Sequence, residues 1–123
     1  MRVFIIDDEE VSIFIIRNML TFQGIASEEE ITSFLYSEEA LDTLLKCEKE
    51  ELPDIILLDL AMPVLDGWQL LEKLAPFKSK FERCRIHILT SSIVQSDEVR
   101  AKKNSMVSGF MHKPISAAEI SKL

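Results

Sequence analysis

A chain of 123 residues and 14.1 kDa has room for one domain of ordinary size and not for two. With 47% apolar and 28% charged residues, and only three Gly and four Pro, it is neither disordered, collagen-like nor linker-dominated. The net charge of −7 is uneven, 4 basic against 15 acidic residues in 1–60 and 10 against 6 in 61–123, and such acidity argues against a nucleic-acid partner.

The first apolar run, Val3-Phe4-Ile5-Ile6, reads as a strand buried on both faces. It is too short for a signal peptide, and two acids end it, so the expected compartment is the cytoplasm. No apolar run in the chain approaches the roughly 18 residues of a membrane span. Val11, Ile15, Met19 and Phe22 then recur at helical spacing, which predicts an amphipathic helix with that stripe inward and Gly24 as its cap. Ile31 to Leu35, preceded by Glu28-Glu29-Glu30, reads as an edge strand. Ser37 starts a second helix with Glu38 and Glu39 in its first turn. Ala40, Leu44 and Cys47 are expected to face inward with Leu41 and Leu45 beside them, and Pro53 ends the segment.

Ile55-Ile56-Leu57-Leu58 is the clearest buried strand. Trp68 to Phe77 reads as a helix that buries Leu70, Leu71 and Leu74 and stops near Pro76. Ile86 to Leu89 is a fourth strand, Ser96 to Asn104 a polar helix, Val107 to Met111 a fifth strand, and Ser116 to Leu123 a short last helix. The cluster of Lys78, Lys80, Arg83 and Arg85, interrupted by Glu82, reads as a solvated face. Cys47 and Cys84 match no metal or redox spacing and read as small core residues or free thiols. Five strands alternating with five helices, with no repeat and no linker, predict one α/β domain over 1–123, built on a parallel sheet with helices on both faces.

Ligands of open parallel sheets bind beyond the carboxyl ends of the strands. The residues just past the apolar runs are Asp7-Asp8, Asp59, Thr90-Ser91 and Lys113-Pro114. Three crowded carboxylates raise one another's proton affinity unless a cation neutralises them, and an all-oxygen set suits Mg²⁺ better than zinc or copper. A carboxylate beside Mg²⁺ can act as a nucleophile toward phosphorus, with Thr90 and Lys113 binding the phosphoryl oxygens. Alone, Asp7-Asp8 reads equally well as a helix cap, whereas Thr90 alone reads as an ordinary strand end and Lys113 alone as a solvated surface lysine. Asp59 has no such capping role. His87, inside a strand pattern, reads as a core or rim histidine, His112 lacks a second His or Cys at metal spacing, Trp68 reads as core and the methionines as packing.

Asp7-Asp8, then Leu57 through Gly67 (Leu-Leu-Asp-Leu-Ala-Met-Pro-Val-Leu-Asp-Gly), then Leu89-Thr90-Ser91 and Lys113-Pro114, resemble the receiver domain of bacterial two-component response regulators. The resemblance covers essentially the whole chain. It implies a flavodoxin-like (βα)5 three-layer sandwich whose five-stranded parallel sheet has the order 2-1-3-4-5. It implies that Asp59 accepts a phosphoryl group from a phosphohistidine of a sensor histidine kinase or phosphotransfer protein, and that Mg²⁺ is required. The metal ligands would be Asp8, Asp59, the backbone carbonyl of Ala61, and Asp7 mainly through a bound water. Thr90 and Lys113 would bind the phosphoryl group, and Thr90 with Phe110 would form the switch. The Lys113-Pro114 bond matches one usually cis in the family. Ala61 and Ser92 fall at two variable rim positions that tune access of water to the acyl phosphate.

The resemblance further implies that the chain is a signalling phosphoacceptor and not an enzyme, promoting only its own phosphorylation and dephosphorylation. The face of the fourth helix, fifth strand and fifth helix would meet a downstream protein target, and the first helix would meet the kinase. No output domain is visible, and the last helix is shorter than usual, as in a trimmed or truncated receiver. A flavin-binding electron carrier of the same topology is disfavoured, because Asp7-Asp8-Glu9-Glu10 repels phosphate. An aspartyl-nucleophile phosphatase typically has a second Asp two residues past the nucleophile, where this chain has Ala61.

Overall fold

The computed structural model describes residues 1–91 and 95–123. Ser92, expected at the rim, lies outside the described residues. The elements alternate in the expected order: β1 (Val3–Ile6), α1 (Glu10–Phe22), β2 (Ile31–Phe34), α2 (Ser37–Lys46), β3 (Ile55–Asp59), α3 (Gly67–Leu74), β4 (Arg85–Thr90), α4 (Gln95–Lys103), β5 (Val107–His112) and α5 (Ala117–Ser121). All four strand pairings are parallel and the sheet order is β2-β1-β3-β4-β5, the flavodoxin-like arrangement.

The central strands are apolar without alternation because both of their faces are covered. Phe4, Ile6, Ile56, Leu58, Ile86 and Ile88 face α2, α3 and α4, where Leu44, Leu70, Leu71, Leu74 and Ala101 complete one core. Val3, Ile5, Ile55, Leu57, Leu89 and Met111 face the other way, against Ile13, Ile16 and Leu20 of α1 and Ile120 of α5. At the edge, β2 buries only Ile31 and Phe34 and leaves Thr32 and Ser33 to water.

Local signals explain most boundaries. Gln23 caps α1 and Gly24 follows it at φ 71, a left-handed residue of the kind that glycine adopts freely. α3 ends at Leu74, just before Pro76, and the chain continues as a 3-10 turn over Ala75–Phe81, so Phe77 lies outside the helix and is exposed. Ser116 caps α5 in a reciprocal pair with Glu119.

Two expected inward faces are corrected. In α1 the buried residues are Ile13, Ile16 and Leu20, whereas Val11, Ile15 and Phe22 of the expected stripe are exposed, Phe22 at 92%. The helix carries two apolar stripes at helical spacing, and spacing does not say which one faces the core. The outer stripe includes Asn18, and turning it inward would bury an amide away from water and expose three aliphatic side chains. In α2, Leu45 is exposed and Cys47 lies past the helix end, half-buried.

Replacing Ile16 by Ala is expected to cost about 2–5 kcal/mol, while Phe22→Ala should stay within about 0.5 kcal/mol. Urea denaturation of the two variants measures the difference; comparable losses would mean that the stripes are assigned the wrong way round.

Candidate functional site

Parallel register carries the site residues to one rim. Ile6 pairs with Leu58, and Asp59 pairs with Leu89, so the residues following β1, β3 and β4 emerge side by side. Thr90 pairs with His112 at the end of β5, and the Thr90 carbonyl accepts the Lys113 N–H at 2.8 Å. The backbone thereby brings Asp7, Asp59, Thr90 and Lys113 together from four strands far apart in sequence.

Lys113 holds the centre. Its ammonium, only 10% exposed, lies 2.7 Å from Asp7 Oδ2, 3.2 Å from Asp59 Oδ2 and 3.2 Å from Glu9 Oε1. Asp7 and Asp59 are themselves buried. Burial pushes the Asp59 carboxyl up to about 6, and the neighbouring Asp7 charge adds to the effect; Lys113 and the N–H of Ala61, 3.1 Å from Asp59 Oδ1, oppose it. Burial also acts to lower the ammonium of Lys113, but contact with Asp7 and the charges of Asp59 and Asp7 outweigh it, holding Lys113 above its ordinary value.

The cap reading of Asp7-Asp8 does not hold. The N-cap of α1 is Glu9, which makes no side-chain cap bond, and Asp7 Oδ1 accepts the Glu9 N–H at 2.9 Å. Asp8 is exposed at the rim. Glu9 was not foreseen as a site residue; the acidic run Asp7 to Glu10 was its sequence signal, but only the fold shows which of these acids reaches Lys113. Phe110 stands apart from the rim, half-buried on β5, its ring packed edge-on against His112 at 5.1 Å. Lys113-Pro114 is cis.

The donor set fits a divalent cation. Carboxylate oxygens of Asp7, Asp8, Glu9 and Asp59 lie within 4.8 Å of one another, with no nitrogen or sulfur among them. Asp7 Oδ2 is buried 2.7 Å from the Lys113 ammonium, and a carboxylate oxygen keeps lone pairs for a further cation.

The glycine after the rim loop is dictated by space. A Cβ at Gly67 would sit 2.7 Å from the Asp59 carbonyl oxygen and 2.9 Å from Leu60 Cα, so only glycine lets α3 start this close to the end of β3.

A family model described as "Response regulator receiver domain" matches residues 3–123. The chain belongs to the response regulator receiver family. Receivers are phosphoacceptor domains of two-component signal transduction, and members of the family use Mg²⁺. The receiver is 30% identical over 124 residues to hybrid signal transduction histidine kinase L of Dictyostelium discoideum, covering 99% of this chain and 7% of that protein. It is 25% identical over 120 residues to the sensory/regulatory protein RpfC of Xanthomonas campestris, covering 98% of this chain and 15% of that protein. The chain thus spans a small part of the length of both relatives. In fold it is similar to a two-component response regulator from Cytophaga hutchinsonii, with a TM-score of 0.86, 24% identity and coverage of 98% and 91% of the two chains. A receiver protein from Dyadobacter fermentans superposes with a TM-score of 0.85, 24% identity and coverage of 99% and 93%. Among the described residues, no helix of this receiver is long and apolar enough to cross a membrane.

The raised Asp59 carboxyl links stability to pH. Its folded value near 6 exceeds the ordinary 3.8, so in metal-free buffer this group's stabilising contribution is lost as pH rises from about 4 to about 6. Asp59→Asn should therefore melt above the parent at pH 8 in EDTA, with the gap closing as pH falls toward 4. Equal melting temperatures at pH 8 would contradict the electrostatic account.

Proposed function

We propose that this receiver accepts a phosphoryl group on Asp59, with Mg²⁺ held by Asp7, Asp8, Asp59 and the Ala61 carbonyl, from a phosphohistidine of a sensor kinase or phosphotransfer protein. The observation that carries the reading is the buried Asp59 carboxylate, shared with Asp7 on one Lys113 ammonium and open to the acidic rim. A bound Mg²⁺ supplies charge neutralisation between the carboxylates and the incoming phosphoryl oxygens. The protein does the rest. Asp59 Oδ1 is oriented by the Ala61 N–H, leaving Oδ2, on the Lys113 side, to bond phosphorus as the bond from phosphorus to the donor's imidazole nitrogen breaks and the imidazole leaves with the donor protein. Lys113 then exchanges a carboxylate partner for a phosphoryl oxygen, and the Thr90 hydroxyl donates to another. No substrate is turned over beyond the receiver's own acyl phosphate.

Thr90, 1% exposed, ends β4 two residues of sheet away from Phe110, whose Cα partner is Ile88. A shift of Thr90 toward the phosphoryl group leaves space beside β5 that the half-buried Phe110 ring can fill. The face formed by α4, β5 and α5 then changes shape for a downstream protein.

The donor's docking face is proposed to be the outer side of α1. Val11, Phe14, Ile15 and Phe22 are exposed along it, and a groove of about 310 Å³ between Ile15, Ile16, Pro114 and Ile115 leads to Lys113. An apolar stripe at i, i+3, i+4 and i+11 suits a helical partner, which would bring its phosphohistidine to the rim.

Incubation with acetyl phosphate and Mg²⁺ should add one phosphoryl group by mass spectrometry, and neither Asp59→Asn nor an EDTA-treated sample should gain it. Addition in either would refute the assignment. Joint replacement of Phe14 and Ile15 by Ser is expected to slow transfer from a phosphohistidine protein by at least about tenfold, ~1.4 kcal/mol, with the acetyl phosphate rate unchanged. Loss of both rates would point to damage at the rim and not to docking.

A further inference from the structure

The loop from Leu60 to Asp66, which leads from the acceptor strand into α3, contains a backbone conformation that its sequence disfavours. Val64 has φ 69, in the left-handed region that β-branched residues avoid. The Leu65 N–H closes a three-residue turn around it onto the Pro63 carbonyl at 2.8 Å. Val64 is 85% exposed, so its own packing does little to hold the turn. Strained backbone persists where surrounding contacts over-determine it.

Those contacts can be named. At the base of the loop the Leu60 carbonyl accepts from the N–H groups of Met62 at 3.2 Å and Gly67 at 3.0 Å. Asp66 caps α3, accepting from Gln69 N–H at 2.8 Å. Next to the strained residue the Leu65 carbonyl accepts from the Ser37 hydroxyl, which reaches across from the first turn of α2. Ser37 is fully buried, among the few polar residues in the interior outside the acidic rim.

We infer that Ser37 is a positioning residue for the phosphoacceptor site: its hydroxyl pins the Leu65 carbonyl, holds Val64 in the left-handed turn, and so sets where Ala61 stands relative to Asp59. The inference rests on the reading of the rim as a Mg²⁺ and phosphoryl site. Without the hydroxyl the Leu65 carbonyl loses its donor, and Val64 is free to relax toward negative φ. The loop carrying Ala61 then shifts with it. Glycine at 64 removes that drive, because it adopts φ 69 without steric cost.

The test uses the full chain as parent, Ser37→Ala, Val64→Gly and the double variant. Mg²⁺ is titrated by amide NMR, and amide hydrogen exchange is measured in EDTA. Ser37→Ala should lower Mg²⁺ affinity by about tenfold, the size of effect seen when a metal site loses an outer support. It should also speed exchange at Leu65 while the thermal melt stays a single transition. The double variant should recover Mg²⁺ affinity to within about twofold of the parent, and Val64→Gly alone should match the parent. Unchanged exchange at Leu65 in Ser37→Ala overturns the inference, as does a loss of affinity that Val64→Gly fails to rescue. A parent chain that binds no Mg²⁺ refutes the metal reading, and the exchange data still decide the role of Ser37.

Discussion

One ammonium facing three carboxylates is the constraint around which this receiver is arranged. Asp7 and Asp59 are buried at the ends of adjacent strands, where a carboxylate is costly without a partner, and Lys113 is the cation beside both. The arrangement is not relaxed. Burial and the Asp7 charge still raise the proton affinity of Asp59, so Lys113 offsets only part of the repulsion. On the proposed reading, a further cation would offset the repulsion that remains, and a phosphoryl oxygen that takes up Lys113 would relieve a competition already present.

Everything that brings Lys113 there is backbone. It follows β5 directly, and its N–H is tied to the Thr90 carbonyl at the end of β4. Asp59 is the last residue of β3, with its oxygens partly committed to the Ala61 N–H, and Gly67 lets α3 fold back within contact of the same strand end. The rim is thus positioned by four parallel strands whose apolar residues are buried on both faces, a rigid platform for groups that must meet at hydrogen-bonding distance. The groove beside Ile15 and Pro114, the strained turn at Val64 and the buried hydroxyl of Ser37 all adjoin the rim or the loop leading from it.

On α1 a second apolar stripe coexists with the one that packs against the core. Ile13, Ile16 and Leu20 satisfy the core, and a second stripe of Val11, Phe14, Ile15 and Phe22 is left in water. Scattered exposed apolar residues are ordinary, but four large ones on a single helix of 13 residues form a patch with a direction. Folding alone does not require it.

Much of this was legible in the chain before any coordinates. Unbroken apolar runs such as Ile55–Leu58 can be buried only as central parallel strands or as core helix, and the alternation with amphipathic segments selects strands. Once the sheet is parallel, the residues at the carboxyl ends of its strands share a rim by geometry, so Asp7, Asp8, Asp59, Thr90 and Lys113 could be grouped by number alone. What local pattern left open was anything decided by choosing between equivalent faces or by contacts distant in sequence. Two apolar stripes at the same helical period are indistinguishable in α1 until the sheet presents its surface and Asn18 is forced to solvent. Glu9 became a partner of Lys113 only once the fold closed a sequence separation of 104, and Ser37 met Leu65 across a separation of 28. Periodicity carries the burial of each element, whereas the partner of a polar group is set by tertiary packing, because a hydrogen bond or ion pair depends on position in space and leaves no period in the sequence.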